Sequence, residues 1–128
     1  MARRTELRIL VVDDMSVSRQ ILVQMLERLG VRCIEVARNG AEALETLARV
    51  PTDMVIADLH MPGMDGIDLL DSVRRSERTR PLHFVLTSGD ASSARFAEGQ
   101  HAGPDATLLK PFTLDALLNC VEVASGRI

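Results

Sequence analysis

Four apolar runs in this sequence each end in a polar or charged residue. Leu7 to Val12 leads into Asp13-Asp14, Met54 to Ala57 into Asp58, Leu82 to Leu86 into Thr87-Ser88, and Ala106 to Leu109 into Lys110. Any one of these could be a cap or a turn residue, and Asp58, at the head of the Pro/Gly turn in ADLHMPGMDG (57–66), could simply cap the next helix. If the runs are parallel strands, however, their ends share one edge, and ligands of open α/β sheets bind outside the carboxyl ends of the strands. Three carboxylates, a hydroxyl and an ammonium then converge on one patch, a concentration that capping does not explain.

Such a patch has definite chemistry. Carboxylates held close together repel, and their pKa values are coupled and partly raised unless a cation sits among them. Oxygen ligands that leave room for water suit Mg2+. Metal and ammonium together form a receptor for a phosphoryl group, whose oxygens need neutralising in transfer. A carboxylate held there can itself be the nucleophile and become an acyl phosphate. Asp13 and Asp14 leave one strand end together and read as metal ligands, so Asp58 is the candidate nucleophile.

The elements that must position these groups alternate along the chain. After the first run, Ser16 can cap a helix that places Val17, Ile21, Leu22, Met25 and Leu29 on one face and stops at Gly30. Arg32 to Ala37 alternates like a strand with one wetter face. Asn39 opens a helix with Ala43, Leu44 and Leu47 inward, ended before Pro51. Met54 to Asp58 is the third strand, and Ile67, Leu70 and Val73 mark the third helix. Leu82 to Thr87 is strand four, Ala91 to Gln100 a helix weakened by Ser92, Ser93 and Gly99, and Ala106 to Leu109 strand five. Thr113 caps a last helix carrying Leu114, Leu117, Leu118 and Val121. Five strand–helix pairs with short connections imply right-handed crossovers and a parallel sheet covered on both faces. Strands one, three, four and five are apolar throughout, which suits central positions.

The chain of 128 residues fits one domain, 1–128, with a single core. A net charge of −3 does not favour nucleic-acid binding, and the basic start, Arg3, Arg4 and Arg8, reads as a solvated terminus. Neither a signal peptide nor a membrane-spanning run is evident. Cys33 and Cys120 lack metal spacing and read as reduced core cysteines of a cytoplasmic protein. With five helices docked no strong apolar face should remain, so a monomer is expected.

In order and spacing, VVDD (11–14), DLHMPGMDG (58–66), LTS (86–88) and LLKPF (108–112) resemble the receiver domains of two-component response regulators, most closely the free-standing chemotaxis type. The resemblance runs from about Arg8 to Ala124. It implies a flavodoxin-like, doubly wound (βα)5 fold with strand order 2-1-3-4-5. It also implies that Asp58 is the phosphoacceptor and Asp14 a direct Mg2+ ligand, with Asp13 holding the metal through water and His60 through its backbone carbonyl. Thr87 would hydrogen-bond a phosphoryl oxygen, Lys110 would pair with phosphoryl oxygen and carboxylate, and the Lys110-Pro111 bond would be cis. The donor would be a histidine kinase or a histidine phosphotransfer protein, and the output binding to a partner such as a flagellar switch. Such a protein accepts a phosphoryl group and loses it again but turns over no separate substrate, so it is not an enzyme in that sense.

Two departures stand out. Family members usually carry Tyr or Phe three residues before the lysine, where this chain has Thr107, and the segment from Thr87 to Gly103 is about one residue longer and rich in small residues. Both bear on output and neither on phosphoryl chemistry. His60 either reaches over the phosphoryl group or is a plain exposed loop histidine. A phosphorelay shuttle or phosphate sink would need the same site. An aspartyl-phosphate phosphohydrolase of the haloacid-dehalogenase kind would place its nucleophile in a DxD arrangement on strand one. The adjacent pair Asp13-Asp14 does not fit that pattern, and no cap domain is evident.

Overall fold

The computed structural model describes residues 4–126; Arg3 of the basic start lies outside them. A short 3-10 turn (Arg4–Glu6) precedes β1 (Arg8–Val12), α1 (Ser16–Arg28), β2 (Cys33–Ala37), α2 (Gly40–Arg49), β3 (Met54–Asp58), α3 (Gly66–Arg75), β4 (His83–Ser88), α4 (Ala94–His101), β5 (Ala106–Leu109) and α5 (Leu114–Gly126). The strands form one parallel sheet in the order β2-β1-β3-β4-β5, the doubly wound flavodoxin-like arrangement.

Strand pleating divides the core in two. Ile9 and Val11 of β1, Met54 and Ile56 of β3 and Val85 of β4 face α1 and α5, where they pack with Leu22, Leu26, Leu117 and Val121. Leu10, Val12, Val55, Ala57, Phe84 and Leu86 point the other way, onto Ala43 and Leu47 of α2 and Leu69, Leu70 and Val73 of α3. Because both faces are covered, β1, β3 and β4 show no alternation of polar and apolar residues.

Local signals explain most boundaries. Gly30, at φ 90°, ends α1. The Asn39 side chain accepts the Glu42 N–H at 2.8 Å to start α2. Asp65 accepts the N–H groups of Ile67 and Asp68 while its own N–H reaches the Asp68 carboxylate, a closed capping box for α3. Thr113 accepts the Ala116 N–H at 3.1 Å ahead of α5.

Several expectations need correction. Ser16 does not cap α1: Met15 is the N-cap residue, extended and without a side-chain bond, and its N–H goes to the Asp13 carboxylate. Val17 and Ile21 are 65% and 53% exposed, because the face of α1 on the sheet is the stripe Leu22, Leu26 and Leu29. Together with exposed Met15 they leave an apolar surface, so the premise offered for a monomer does not hold. α4 starts at Ala94, since Asp90 binds Ser92 in a turn and Ser93 is the cap, accepting from the Phe96 N–H. β5, although apolar, is an edge strand with Leu109 47% exposed. Cys120 is buried, but Cys33 is exposed because it begins the opposite edge strand.

Gly66 lets α3 start against the end of β3. A Cβ there would lie 2.7 Å from the Asp58 backbone oxygen and 2.9 Å from the Leu59 Cα, atoms that cannot swing aside. Gly66→Ala should therefore destabilise the protein by about 1–3 kcal/mol, the usual scale of overpacking. Urea unfolding measures it, and an unchanged midpoint would show that the backbone gives way freely.

Candidate functional site

The strand order reverses direction between β1 and β3, and the register pairs Val12 with Ala57. The next residues, Asp13 and Asp58, therefore stand side by side at the carboxyl edge, at the switch point of the sheet. One oxygen each of Asp13, Asp14 and Asp58 lies within 4.8 Å of the others. Asp13 and Asp58 are buried and Asp14 is exposed.

Lys110 closes the cluster from the end of β5. Its Nζ donates to Asp13 Oδ2 at 3.0 Å and to Ser18 Oγ at 2.9 Å, and stands 3.6 Å from Asp58 Oδ1. The Lys110-Pro111 bond is cis, as the resemblance implies. Backbone bonds knit the strand ends: the Lys110 N–H donates to Ser88 O at 2.7 Å, the Leu59 N–H to Thr87 O at 2.8 Å and the Asp13 N–H to Ala37 O at 3.1 Å. Asp13 is fully engaged. Its Oδ1 accepts the Met15 N–H at 3.0 Å, its Oδ2 takes Lys110, and its carbonyl takes the Arg19 guanidinium at 2.7 Å.

Burial pushes the Asp58 carboxyl above its ordinary value. Lys110 pulls the other way, Asp13 adds to the rise, and the charge and backbone N–H of His60 lower it. The rise prevails, so an ionised Asp58 is held at a cost in this environment. Added positive charge would relieve that cost. The donor set is all oxygen and partly open to solvent through Asp14, which fits a hard divalent cation of the Mg2+ kind.

The other candidate residues fall around this centre. Thr87 is buried and sits opposite Asp58 in the β3–β4 register. His60 is exposed, as a plain loop histidine would be, but its Nε2 lies 3.2 Å from the Oγ of buried Ser88. That hydroxyl also accepts the Asp90 N–H at 3.1 Å, so a bridge runs from the loop after β3 to the loop after β4. Thr107 is half-buried on β5, paired in register with Leu86.

Two features were not anticipated from the sequence. Ser18 is the first: it lies four residues before Leu22 on the sheet-facing stripe of α1, a hydroxyl where an apolar residue would continue the pattern. Arg95 is the second. It bonds Asp65, Asp68 and Glu98 at 2.7–3.1 Å and ties the start of α4 to the start of α3. Nothing local marks Arg95, since its partners on α3 lie 27 and 30 residues away.

Comparison with known proteins shows the family. The family model for the response regulator receiver domain matches residues 9–122. The chain is 35% identical over 122 residues to the chemotaxis protein CheY of Pseudomonas aeruginosa, covering 95% of this chain and 98% of that one. It is equally similar, 35% over 123 residues, to the sensor histidine kinase RcsC of Salmonella typhi, covering 96% of this chain but only 13% of that protein. Among solved structures, the receiver domain of a sensor histidine kinase from Pseudomonas aeruginosa superposes with a TM-score of 0.85 at 25% identity, covering 94% of this chain and 98% of that one. That crystal structure has a magnesium ion coordinated in its active-site cleft.

The raised Asp58 carboxyl has a consequence for stability. A carboxyl that titrates higher in the folded than in the unfolded chain contributes stability that is full below the unfolded value and is lost as pH rises through the folded value. Asp58→Asn removes that loss. Without divalent metal, the variant should melt above the wild type at about pH 7 and lose this advantage towards about pH 3, where both side chains are neutral. Thermal melts in chelator check it, and a variant that melts lower at neutral pH would show that attraction to Lys110 outweighs burial.

Proposed function

The chain belongs to the response regulator receiver domain family, and from that premise we propose that it accepts a phosphoryl group on Asp58, with Mg2+, from the phosphohistidine of a histidine kinase or phosphotransfer protein. The observation that carries this is the placing of Asp58. It is a buried nucleophile 3.6 Å from an ammonium and grouped with two further carboxylates. Asp58 Oδ attacks phosphorus, a new O–P bond forms, and the electron pair of the breaking P–N bond returns to the donor imidazole. A bound Mg2+ supplies positive charge to the transferring oxygens. Asp14, exposed, and Asp58 would be direct ligands with the His60 carbonyl. Asp13, whose two oxygens are already taken, would act through water. Thr87 would donate its hydroxyl to a phosphoryl oxygen and Lys110 its ammonium. Reversal by water would empty the site, with no separate organic substrate, so the protein serves as a switch and not as a turnover enzyme.

A protein donor must cover whatever adjoins the mouth of this site. There lies an apolar hollow of about 440 Å³ lined by Met15, Val17, Ile21, Met25, Pro111 and Phe112. Its continuity with Asp13 and Lys110 makes it the surface on which the donor docks.

For output we favour a chemotaxis-type reading, with partner binding controlled around α4. Ser88 follows Thr87 directly and is bonded to both His60 and the Asp90 backbone, so movement of Thr87 towards a phosphoryl group reaches the α4 loop. A flagellar switch is a partner of the right kind. The bond network around His60 and Ser88 would serve a phosphorelay shuttle less directly, since a shuttle needs no second surface.

Asp58→Asn should keep the fold and abolish labelling by acetyl phosphate or by a phosphohistidine donor, and Asp14→Ala should abolish both labelling and any rise in melting temperature with millimolar-range Mg2+. An Asn variant labelled at the wild-type rate would remove Asp58 as acceptor. Charge in the hollow separates the donor surface from the chemistry. Ile21→Asp should slow transfer from a protein donor by roughly 10-fold or more, the effect of a buried unpaired charge, and leave labelling by acetyl phosphate unchanged. Equal slowing with both donors would place Ile21 in the chemistry instead.

A further inference from the structure

Lys110 has two strong partners, and only one of them carries charge. Asp13 Oδ2 is 3.0 Å from the ammonium and Ser18 Oγ is 2.9 Å away, while Asp58, the group the lysine is to serve, is 3.6 Å off. Ser18 reaches this point from the first turn of α1, 92 residues from Lys110 in sequence. Its position is unusual for a hydroxyl. With Leu22, Leu26 and Leu29 it lies on the stripe that faces the sheet, and it is partly buried.

We propose that Ser18 is a positioning residue for phosphoryl acceptance: its Oγ holds the Lys110 ammonium beside Asp58 when a divalent cation weakens the lysine's attraction to Asp13. The proposal rests on the reading of Asp58 as phosphoacceptor and adds a residue to it. A divalent charge among the three carboxylates weakens the attraction between Asp13 and the lysine and repels the ammonium itself. Ser18 Oγ is neutral, and its hydrogen bond to the ammonium does not compete for the cation. It is therefore the partner least affected by metal binding. A lysine has four rotatable side-chain bonds and loses its aim readily when unanchored; positioning of the charge that meets the transferring oxygens is most of what this chemistry needs. The bond also explains why a helix stripe otherwise apolar admits a hydroxyl at its first turn. The Ser18 hydroxyl bonds the Lys110 ammonium, so it acts on Asp58 through Lys110.

The test compares Ser18→Ala and Ser18→Thr with the wild type. At saturating Mg2+, labelling of Asp58 by acetyl phosphate should slow about 10-fold in Ser18→Ala, the effect of one hydrogen bond to a charged group. The Mg2+ concentration at half-saturation should change by less than about twofold, because no metal ligand is lost. Ser18→Thr keeps the hydroxyl and should restore the rate. A second measurement needs neither metal nor donor: in nitrogen-15 spectra the Lys110 ammonium protons should exchange with water faster in Ser18→Ala than in the wild type or Ser18→Thr. Ser18→Ala with the wild-type rate and wild-type ammonium exchange would overturn the proposal, as would a slow Ser18→Thr or a large change in Mg2+ half-saturation. Failure of the parent reading looks different. The wild type would then take no label at Asp58, while the ammonium exchange would still report the Ser18 bond.

Discussion

The site depends on one unfavourable juxtaposition and the ammonium that offsets it. Three carboxylates, two of them buried, stand together at the carboxyl edge of the sheet, and the charge of Lys110 is brought against them from the far end of the chain. Only a parallel sheet does this with short segments, because it delivers every strand end to the same edge. The covering helices follow from it. A sheet buried on both faces must be apolar along β1, β3 and β4, and it can change to charged residues only where the strands run out. The compensation is incomplete, since Asp58 remains shifted upward. That residual shift, from burial first and Asp13 second, is what added positive charge beside Asp58 would relieve.

The same edge explains the exposed apolar surface. α1 begins at Ser16, two residues after Asp14, so its first two turns flank the site, and only the stripe Leu22, Leu26 and Leu29 turns inward. Met15, Val17 and Ile21 stay in solvent next to Pro111 and Phe112 of the β5–α5 loop. On an ordinary surface helix these positions would be polar. Their apolar character at this place is what the proposed docking of a protein donor would use.

How much of this was legible depended on how local the cause was. The bounds of β3 and β5 were read correctly because each is a continuous apolar run stopped by a charged residue. Asn39 and Thr113 were legible as caps because a cap acts within three residues. The start of α4 is harder to read: the serines that weaken the segment belong to a turn held by Asp90 and to the cap at Ser93, so the helix begins at Ala94. The neighbours of Cys33 point to the core, and only the strand order reveals that β2 is an edge. The converging Asp13, Asp14, Asp58, Thr87 and Lys110 were legible from type and position. Ser18 and Arg95 were not, because their partners are set by tertiary packing: Ser18 looks like any helical serine until Lys110 arrives.

Thr107 shows how this protein departs from its family while keeping the site. A threonine at this half-buried position of β5 has little surface to bury or expose, so its rotamer can bias a two-state surface only weakly. Shifting an equilibrium from mostly one state to mostly the other takes about 5.5 kcal/mol of differential interaction. A network of several bonds lies on α4. Arg95 joins Asp65, Asp68 and Glu98, and the Asp65 carboxyl is held below its usual range despite its burial by the Arg95 and Asp68 bonds. Asp65 is also the cap of α3, whose loop begins at Asp58. Asp58 and the tether of α4 thus share one loop, from Asp58 to Asp65, while Ser88 is linked through Asp90 to Ser92 in the loop ahead of α4. On the reading of Asp58 as phosphoacceptor, a displacement at the site would reach α4 through the Asp65–Arg95 bonds and the Ser88–Asp90–Ser92 chain, without an aromatic side chain.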